Sequence, residues 1–250
     1  VYCMAVFMTG DTHGKFDRLE AGAFPELDAL TREDCVIICG DFGGVWEGGS
    51  KENDMLDRLN QRPFTTLFVD GNHENYDMLA RFPVTEWHGG KVQAVRPNIL
   101  HLMRGQVFAL DGKRFFTMGG ASTHDAPDGI LNPGSPTFLE DYQWMRSSGA
   151  RFRVNHRSWW KQELPSPEEL QTARESLDRV GWKVDYIVTH CAPDSIQKGL
   201  VPDRGSDCLT EFLEEVRVRC AFEYWFMGHY HRDGVIENRY VLLKNEVLRL

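Results

Sequence analysis

Eight side chains that commonly bind divalent metals lie in five short, glycine-rich stretches of the sequence. The set contains aspartate carboxylates, histidine imidazoles and one asparagine amide, and it needs no thiolate. This mixture of oxygen and nitrogen donors suits Mn, Fe, Zn or Mg. The residues are Asp11, His13, Asp41, Asn72, His73, His190, His229 and His231. The sequence therefore predicts a divalent-cation site, whose natural chemistry is metal-assisted hydrolysis.

The spacing of these residues agrees with that chemistry. One residue separates the members of the pairs Asp11/His13 and His229/His231, so a short turn or strand can place both side chains on one side. Flanking glycines permit a positive φ and a close approach of the backbone. A single carboxylate such as Asp41 could bridge two cations, because two cations about 3.5–4 Å apart need anionic charge between them.

Each motif taken alone has an ordinary structural interpretation. Gly10-Asp11 is a common turn dipeptide, and Asn72 could cap a helix. His229 and His231 could lie on the polar face of one strand. The five motifs together favour a metal site, because no packing requirement places Asp, Asn and His in this order.

Short apolar runs, which predict strands, precede all five motifs. Because the carboxyl ends of strands gather at one edge of an α/β sheet, we expect the candidate ligands to meet there. The runs cover residues 2–8, 35–39, 65–69, 184–188 and 224–227. Helical patterns lie between them at about residues 16–30, 51–61, 76–81 and 207–218, and a capping box at Ser166-Pro167-Glu168-Glu169 starts another helix.

Two further stretches, residues 92–118 and 235–250, are rich in strand-forming residues. They contain the hairpin signals Asp111-Gly112 and Glu237-Asn238. Strands that alternate with helices, together with meandering strands, favour an α/β protein with mixed sheets in a layered sandwich. With 250 residues and no internal repeat or linker, we expect one domain spanning residues 1–250.

One segment, at about residues 122–164, shows no clean periodicity but carries many aromatic residues, which argues against disorder. We expect it to lie over or beside the metal edge as a cap; the alternatives are packing on the far flank or pairing with a second chain. Its rings could stack on a base, although a satellite core is the simpler interpretation. Its charges nearly balance, so it does not indicate a nucleic-acid patch.

Composition limits the remaining function classes. The net charge of −9 argues against an extended nucleic-acid interface, whereas a local cationic site can still bind a small phosphorylated substrate.

Six cysteines without a C-x-x-C pair predict free thiols in a reducing cytoplasm, with Cys3, Cys35 and Cys39 as small apolar residues in strands. We expect no membrane partner and see no signal pattern in residues 1–8. The sequence makes no prediction of the oligomeric state.

The ordered motifs together resemble those of the calcineurin-like metallophosphoesterase superfamily. They are G-D-T-H-G at 10–14, G-D-F-G at 40–43, G-N-H-E at 71–74, T-H at 189–190 and G-H-Y-H at 228–231. The resemblance implies a four-layer αββα sandwich with a dinuclear metal centre. The implied ligands of the first metal are Asp11, His13, Asp41 and His231, and those of the second are Asp41, Asn72, His190 and His229.

The resemblance also implies an activity. A hydroxide held between the two cations would hydrolyse a phosphomonoester or phosphodiester of a small molecule or nucleotide. Manganese is the expected metal, with Fe, Zn, Ni or Co as alternatives. His73 would face the substrate and assist the leaving group, although support of its own loop is the alternative. His124 could reach a phosphate, although a structural role is the simpler interpretation.

One difference at the second motif indicates which branch of the superfamily this sequence resembles. Protein serine/threonine phosphatases carry G-D-x-x-D-R-G at the second motif, whereas this sequence reads Gly40-Asp41-Phe42-Gly43-Gly44-Val45-Trp46. The orienting aspartate and the phosphate-binding arginine of that motif are absent, which favours the bacterial and phage-type branch.

Two other function classes were weighed. A catalytically silent binding module could keep the fold, but all seven implied metal positions hold competent side chains. A purely structural zinc site is disfavoured because such sites are closed and usually rich in cysteine.

Overall fold

Two mixed β-sheets packed face to face occupy the centre of the molecule, which a computed structural model describes for residues 3–250. The strands are β1 Val6–Thr9, β2 Cys35–Ile38, β3 Thr65–Phe68, β4 Val84–Trp87, β5 Gly90–Arg96, β6 Ile99–Leu102, β7 Gln106–Leu110, β8 Lys113–Met118, β9 Ile130–Leu131, β10 Arg153–Val154, β11 Tyr186–Thr189, β12 Tyr224–Met227, β13 Gly234–Ile236, β14 Tyr240–Leu242 and β15 Val247–Arg249. The α-helices are α1 Pro25–Asp28, α2 Ser50–Asn60, α3 Tyr76–Leu79, α4 Phe138–Ser148, α5 Pro167–Arg179, α6 Asp194–Leu200 and α7 Cys208–Arg219.

The larger sheet has the order β15-β1-β2-β3-β6-β5-β4, and the smaller has the order β13-β14-β12-β11-β8-β7. In the first, β1, β2 and β3 are adjacent and parallel. In the second, β8, β11 and β12 are adjacent and parallel. Six neighbouring strands therefore deliver their carboxyl ends, and the loops that follow, in a consistent direction within each sheet.

Side chains alternate along these strands between two faces, and this alternation creates four layers. Ile37 of β2 and Phe226 of β12 belong to the core between the two sheets. Their neighbours face outwards: Val36 packs with residues of α1–α3, and Trp225 packs with residues of α5–α7. The order is thus helices, sheet, sheet, helices, which confirms the predicted αββα sandwich.

Most of the predicted elements are present. β2, β3, β11 and β12 correspond to their predicted runs, and β1 corresponds to the run 2–8, whose residue 2 lies outside the described residues. α2, α3, α7 and the capping box at Ser166 are confirmed. The two predicted hairpins turn at Asp111-Gly112 and Glu237-Asn238, and all four of these residues have a positive φ.

Two local predictions are wrong. The helix at 16–30 is interrupted: a 3₁₀ turn at Asp17–Leu19 is separated from α1 by Gly22, which has a φ of 81°. Glycine readily takes this left-handed conformation, and Pro25 then starts a new helix. Cys3 is not a buried strand residue; it is exposed, and its thiol donates to Asp111 Oδ2 at 2.9 Å. Cys35 and Cys39 are buried, as expected, and all six thiols are free.

The aromatic insertion at 122–164 is more regular than the sequence indicated, because it contains the 11-residue α4 and the short parallel pair β9–β10. Its helix escaped detection because α4 buries only Phe138 and leaves Leu139 and Trp144 exposed, so no apolar stripe marks it. Buried Trp160 anchors the insertion: its Nε1 donates to Asp77 Oδ2 of α3 at 2.7 Å. The insertion therefore packs beside α3 rather than on the far flank.

No helix within residues 3–250 is long and apolar enough to cross a membrane.

A buried ion pair fastens both ends of the insertion to the loop after β3. Arg104 donates from Nε to Asp70 Oδ2 at 2.9 Å and from Nη2 to the Gln162 carbonyl at 2.7 Å. The Asp70 carbonyl accepts the Gly120 N–H at 2.8 Å, where the insertion begins. Burial alone would raise the pKa of Asp70, but the Arg104 guanidinium outweighs it and holds that pKa well below its usual range.

We expect Arg104→Met to lower the free energy of unfolding by about 3–5 kcal/mol, because it removes the guanidinium that neutralises the buried Asp70 carboxylate and leaves it only His101 and Tyr76 as side-chain partners. The double variant Asp70→Asn/Arg104→Met removes that charge and should recover much of the loss. Urea denaturation in the presence of a chelator measures both values.

The control for this prediction is Lys198→Met, which breaks the exposed 2.7 Å ion pair with Asp194 on α6. This change should lower the free energy of unfolding by less than about 1 kcal/mol. Equal losses in the Arg104 and Lys198 variants would contradict a structural role for the buried pair.

Candidate metal centre

Hydrogen bonds between the two sheets bring the strand-end loops together at one edge. The His190 ring, after β11, lies with Nδ1 2.8 Å from the Cys39 carbonyl, after β2. The His229 N–H, after β12, donates to Asp11 Oδ1, after β1, at 3.0 Å. The loops after β1, β2, β3, β11 and β12 thus share one small space, as the motif positions predicted.

Four of the predicted ligands form a tight group. Asp11, His13, Asp41 and His231 each offer one atom, and these atoms all lie within 4.8 Å of one another. His231 Nε2 lies 3.2 Å from Asp11 Oδ2, and His13 Nε2 lies 3.7 Å from Asp41 Oδ2. These are the four side chains that the resemblance implies for the first metal.

The side chains implied for the second metal lie on the other side of Asp41. His190 Nε2 is 3.3 Å from Asp41 Oδ1 and 3.3 Å from Asn72 Oδ1. The His229 ring centroid lies 4.8 Å from that of His190. Asp41 therefore presents Oδ2 to the first group and Oδ1 to the second, which is the placement that a bridging carboxylate requires.

The donor set fits divalent cations. Asp11 and Asp41 are buried, and no lysine or arginine within residues 3–250 forms an ion pair with either carboxylate. Asp11 Oδ2 is buried without a hydrogen bond. Burial alone would lower the pKa of His190, but Asp41 and Asp11 outweigh it and raise that pKa to about 10. Two buried carboxylates whose ion-pairing partners are histidines, which are themselves metal-binding side chains, are expected at a cation site.

Four of the seven predicted ligands hold a left-handed backbone. The φ angles are 48° at His13, 47° at Asp41, 67° at His229 and 50° at His231. Residues other than glycine rarely adopt this region, and each instance costs about 1–3 kcal/mol. Such strain concentrates at functional sites, where surrounding contacts hold the backbone in place.

Three glycines make room for the predicted ligands because they have no side chain. A Cβ atom on any of them would lie 2.1 Å from a side-chain atom of a predicted ligand. The pairs are Gly40 with His190 Nδ1, Gly71 with Asp41 Oδ1, and Gly228 with Asp11 Oδ1. These three glycines are therefore required by packing against the ligand side chains.

Glu74 is a supporting residue to which the sequence analysis gave no role. Its carboxylate is buried and accepts the backbone N–H of Phe42 at 2.6 Å and that of Gly43 at 3.2 Å. These bonds hold the loop that carries Asp41. Burial and the nearby Asp41 raise the pKa of Glu74 well above its usual value. Its position directly after His73 in the G-N-H-E motif was the available signal.

A cleft of about 400 Å³, here called the Arg204 cleft, opens beside the second group of ligands. His73, His124, Asp125 and Arg204 line it together with Asn72, His229 and other residues. The His73 ring centroid lies 5.5 Å from that of His13, and burial lowers the pKa of His73. No carboxylate within residues 3–250 is hydrogen-bonded to the His73 ring. Its role toward a substrate stays a prediction.

His124 also reaches this cleft, since its ring centroid lies 4.7 Å from that of His229. Burial, with a contribution from the Arg204 guanidinium, lowers the pKa of His124 to about 4. His124 is therefore neutral near pH 7.

Arg204 is a second residue that the sequence analysis missed. Its Nη1 lies 2.9 Å from His229 Nε2, and burial lowers its pKa. No carboxylate within the described part of the chain forms an ion pair with it. Arg204 lies in the loop between α6 and α7, where no motif marks it, so only the fold brings it to the centre.

A second cleft, of about 520 Å³, opens beside Asp11, His13 and His231 of the first group of ligands. Lys15 and Lys244 also line it, so it is called the lysine cleft here. The predicted metal centre thus borders two clefts that share His231.

We expect Gly71→Ala to weaken Mn binding about 10- to 100-fold, because the new methyl group would displace the Asp41 carboxylate. Isothermal titration calorimetry with Mn on chelator-treated protein measures the affinity. Gly199→Ala is the matched control, since a Cβ at Gly199 meets nothing within 4 Å. Unchanged Mn affinity in a folded Gly71→Ala protein would contradict the assigned position of the site.

Comparison with known proteins identifies the family. The family model described as calcineurin-like phosphoesterase matches residues 4–233. Lariat debranching enzyme A of Xenopus laevis is 24% identical over 249 residues, covering 91% of this chain and 43% of that protein. The lariat debranching enzyme of Danio rerio is 23% identical, and the match covers 91% of this chain and 40% of that protein. The lariat debranching enzyme of Schizosaccharomyces pombe is 25% identical, and the match covers 91% of this chain and 48% of that protein.

This chain spans less than half the length of these curated relatives. The family match nevertheless covers nearly the whole chain and includes all seven predicted ligands, which confirms the resemblance seen in the motifs. The protein belongs to the calcineurin-like phosphoesterase family of phosphoester hydrolases.

Proposed function

We propose that this protein is a metal-dependent phosphodiesterase. The observation that carries the proposal is the meeting of six oxygen- or nitrogen-donor residues from both sheets around the buried Asp41 carboxylate. The names of the relatives favour a diester over a monoester as the substrate. The two clefts that border the centre also favour a diester, because its phosphorus carries two substituents.

Two divalent cations fit the donor set. The first would be held by Asp11, His13, Asp41 and His231, and the second by Asp41, Asn72, His190 and His229. When bound, they would polarise the phosphoryl oxygens and lower the pKa of a water so that it attacks phosphorus near neutral pH. Manganese is the proposed metal, with Fe, Zn, Ni or Co as alternatives.

We propose that His73 assists the leaving group. Its backbone N–H donates to Asp41 Oδ1 at 2.8 Å, so the bridging carboxylate also positions this residue. Its ring lines the Arg204 cleft beside His13. From there an imidazole N–H would donate a hydrogen bond to the oxygen that leaves phosphorus, which stabilises its developing charge.

Arg204 supplies the cation that the second motif lacks. It is half-buried at the wall of the cleft, and within residues 3–250 its side chain is hydrogen-bonded to the His229 ring rather than to a carboxylate. A guanidinium in this position is available to bind a phosphoryl oxygen, since its planar fork suits phosphate geometry. We therefore propose Arg204 as a substrate-binding residue, with His124 beside it as a further contact.

We expect the protein supplied with Mn to bind two ions per chain and to hydrolyse bis-para-nitrophenyl phosphate, and a chelator should abolish that activity. Asp41→Ala should lose both ions and activity, because one carboxylate serves both groups. Elemental analysis and release of para-nitrophenolate measure the two results.

Asp54→Ala is the control, because Asp54 is an exposed acidic residue on α2. It should keep both ions and full activity. A protein that stays inert with Mn, Fe, Zn, Ni and Co on mono- and diesters would instead support the binding-module alternative. Retention of two ions by Asp41→Ala would exclude the bridging role.

We expect Arg204→Met to lower kcat/KM for the aryl diester about 100-fold, because a donor to the phosphoryl oxygens is lost. Arg204→Lys should recover part of the loss, since it keeps the charge without the fork. Arg232→Met, at an exposed arginine of the same cleft, is the control and should change kcat/KM less than about 3-fold. A loss of activity in Arg204→Met with a normal metal content supports Arg204 as a substrate-binding residue. A kcat/KM equal to that of the wild-type protein excludes this role.

A further inference from the structure

We propose that the lysine cleft binds a second phosphate group of the substrate, through the ammonium groups of Lys15 and Lys244. This inference rests on the proposed phosphodiesterase function. It narrows the substrate class to phosphodiesters that carry another phosphate on one of their two substituents.

The cleft is continuous with the predicted metal centre. Asp11, His13 and His231 line it together with Lys15 and Lys244. A substituent that extends from the centre into this cleft therefore comes to the walls that carry the two lysines.

The two lysines lack a carboxylate partner in the described part of the chain. Within residues 3–250, neither Lys15 nor Lys244 forms an ion pair with a carboxylate, whereas Lys113 and Lys198 do. Asp17 lines the same cleft but is not ion-paired with either lysine. Two lysines of one cleft without an ion-pair partner, beside a phosphoesterase centre, favour an anionic ligand.

The backbone that carries Lys244 is fixed relative to the metal ligands. The Arg18 guanidinium donates to the carbonyl oxygens of Asp11 and Lys244, so it joins the ligand loop to the loop after β14. Asp233 accepts the backbone N–H of Lys244 at 2.7 Å. Because Arg18 is occupied by these bonds, the two lysines remain the available cations of the cleft.

The position of His73 decides which substituent enters the lysine cleft. His73 lines the Arg204 cleft and not the lysine cleft, so the leaving group that it assists lies in the Arg204 cleft. The lysine cleft is then left for the substituent that stays on phosphorus. The second phosphate accordingly belongs to the retained substituent, either as a terminal monoester or as a further diester linkage of an oligonucleotide.

Three chromogenic substrates test the proposal on the Mn-loaded protein. The reference is the para-nitrophenyl ester of thymidine 5′-phosphate. The second substrate is the same ester with a 3′-phosphate, and the third continues through a 3′-phosphodiester to another thymidine. All three release para-nitrophenolate, so kcat/KM compares them directly.

We expect kcat/KM to be about 5- to 10-fold higher for one or both of the phosphate-bearing substrates, as two exposed charge pairs can provide. The substrate that gains more identifies the source as a terminal monoester or an internal diester. In the double variant Lys15→Met/Lys244→Met the ratio to the reference substrate should fall to about one.

Lys51→Met, at an exposed lysine of α2, is the matched control and should keep the ratio. A wild-type ratio near one overturns the proposal without any variant, as does a ratio that survives in the double variant. Failure of the wild-type protein to cleave any of the three esters would instead count against the proposed phosphodiesterase function.

Discussion

The buried carboxylates of Asp11 and Asp41 share one small space at the edge of two sheets, and no lysine or arginine of the described chain neutralises them. Two such charges are unfavourable unless cations bind between them. Much of the surrounding structure serves this placement. Gly71 and Gly228 leave space for the carboxylate oxygens, and Glu74 holds the loop that carries Asp41. The strained backbone at the ligands is held by the same contacts.

The four-layer fold explains why ligands from both halves of the chain can meet. Parallel strands deliver their carboxyl ends to one edge of each sheet, and the face-to-face packing through residues such as Ile37 and Phe226 brings the two edges together. Backbone bonds, such as that from the His229 N–H to Asp11, then lock loops of one sheet to loops of the other. Neither sheet alone supplies a complete donor set, so the centre depends on the sheet-to-sheet contact.

The sequence predicted correctly those elements that depend on residues close to one another in the chain. The strands before each motif and the capping box at Ser166 follow from apolar runs and short-range hydrogen bonds, and the structure confirms them. The proposed ligands were identified because motif residues occur at fixed spacing within each loop. Their meeting at one edge followed from the direction of parallel strands.

The parts that sequence missed depend on long-range contacts or on weak local signals. Arg204 and Lys244 belong to loops without a motif, and only the fold brings them into the two clefts beside the centre. The helix α4 was missed because it buries a single residue, Phe138, and so lacks the apolar period of a core-facing helix. The predicted helix at 16–30 failed because one glycine with a positive φ interrupted an otherwise helical pattern.

The net charge of −9 and the proposed anionic substrate are compatible because the positive charge near the centre is local. Arg204 lines one cleft beside the predicted metals, and Lys15 and Lys244 line the other. Under the proposed function, a compact phosphate at the centre would gain from the metals and Arg204, whereas only a longer anion would also reach the lysines. These local cations can act on the proposed substrate whatever the net charge of the chain, because charges within a cleft act at short range.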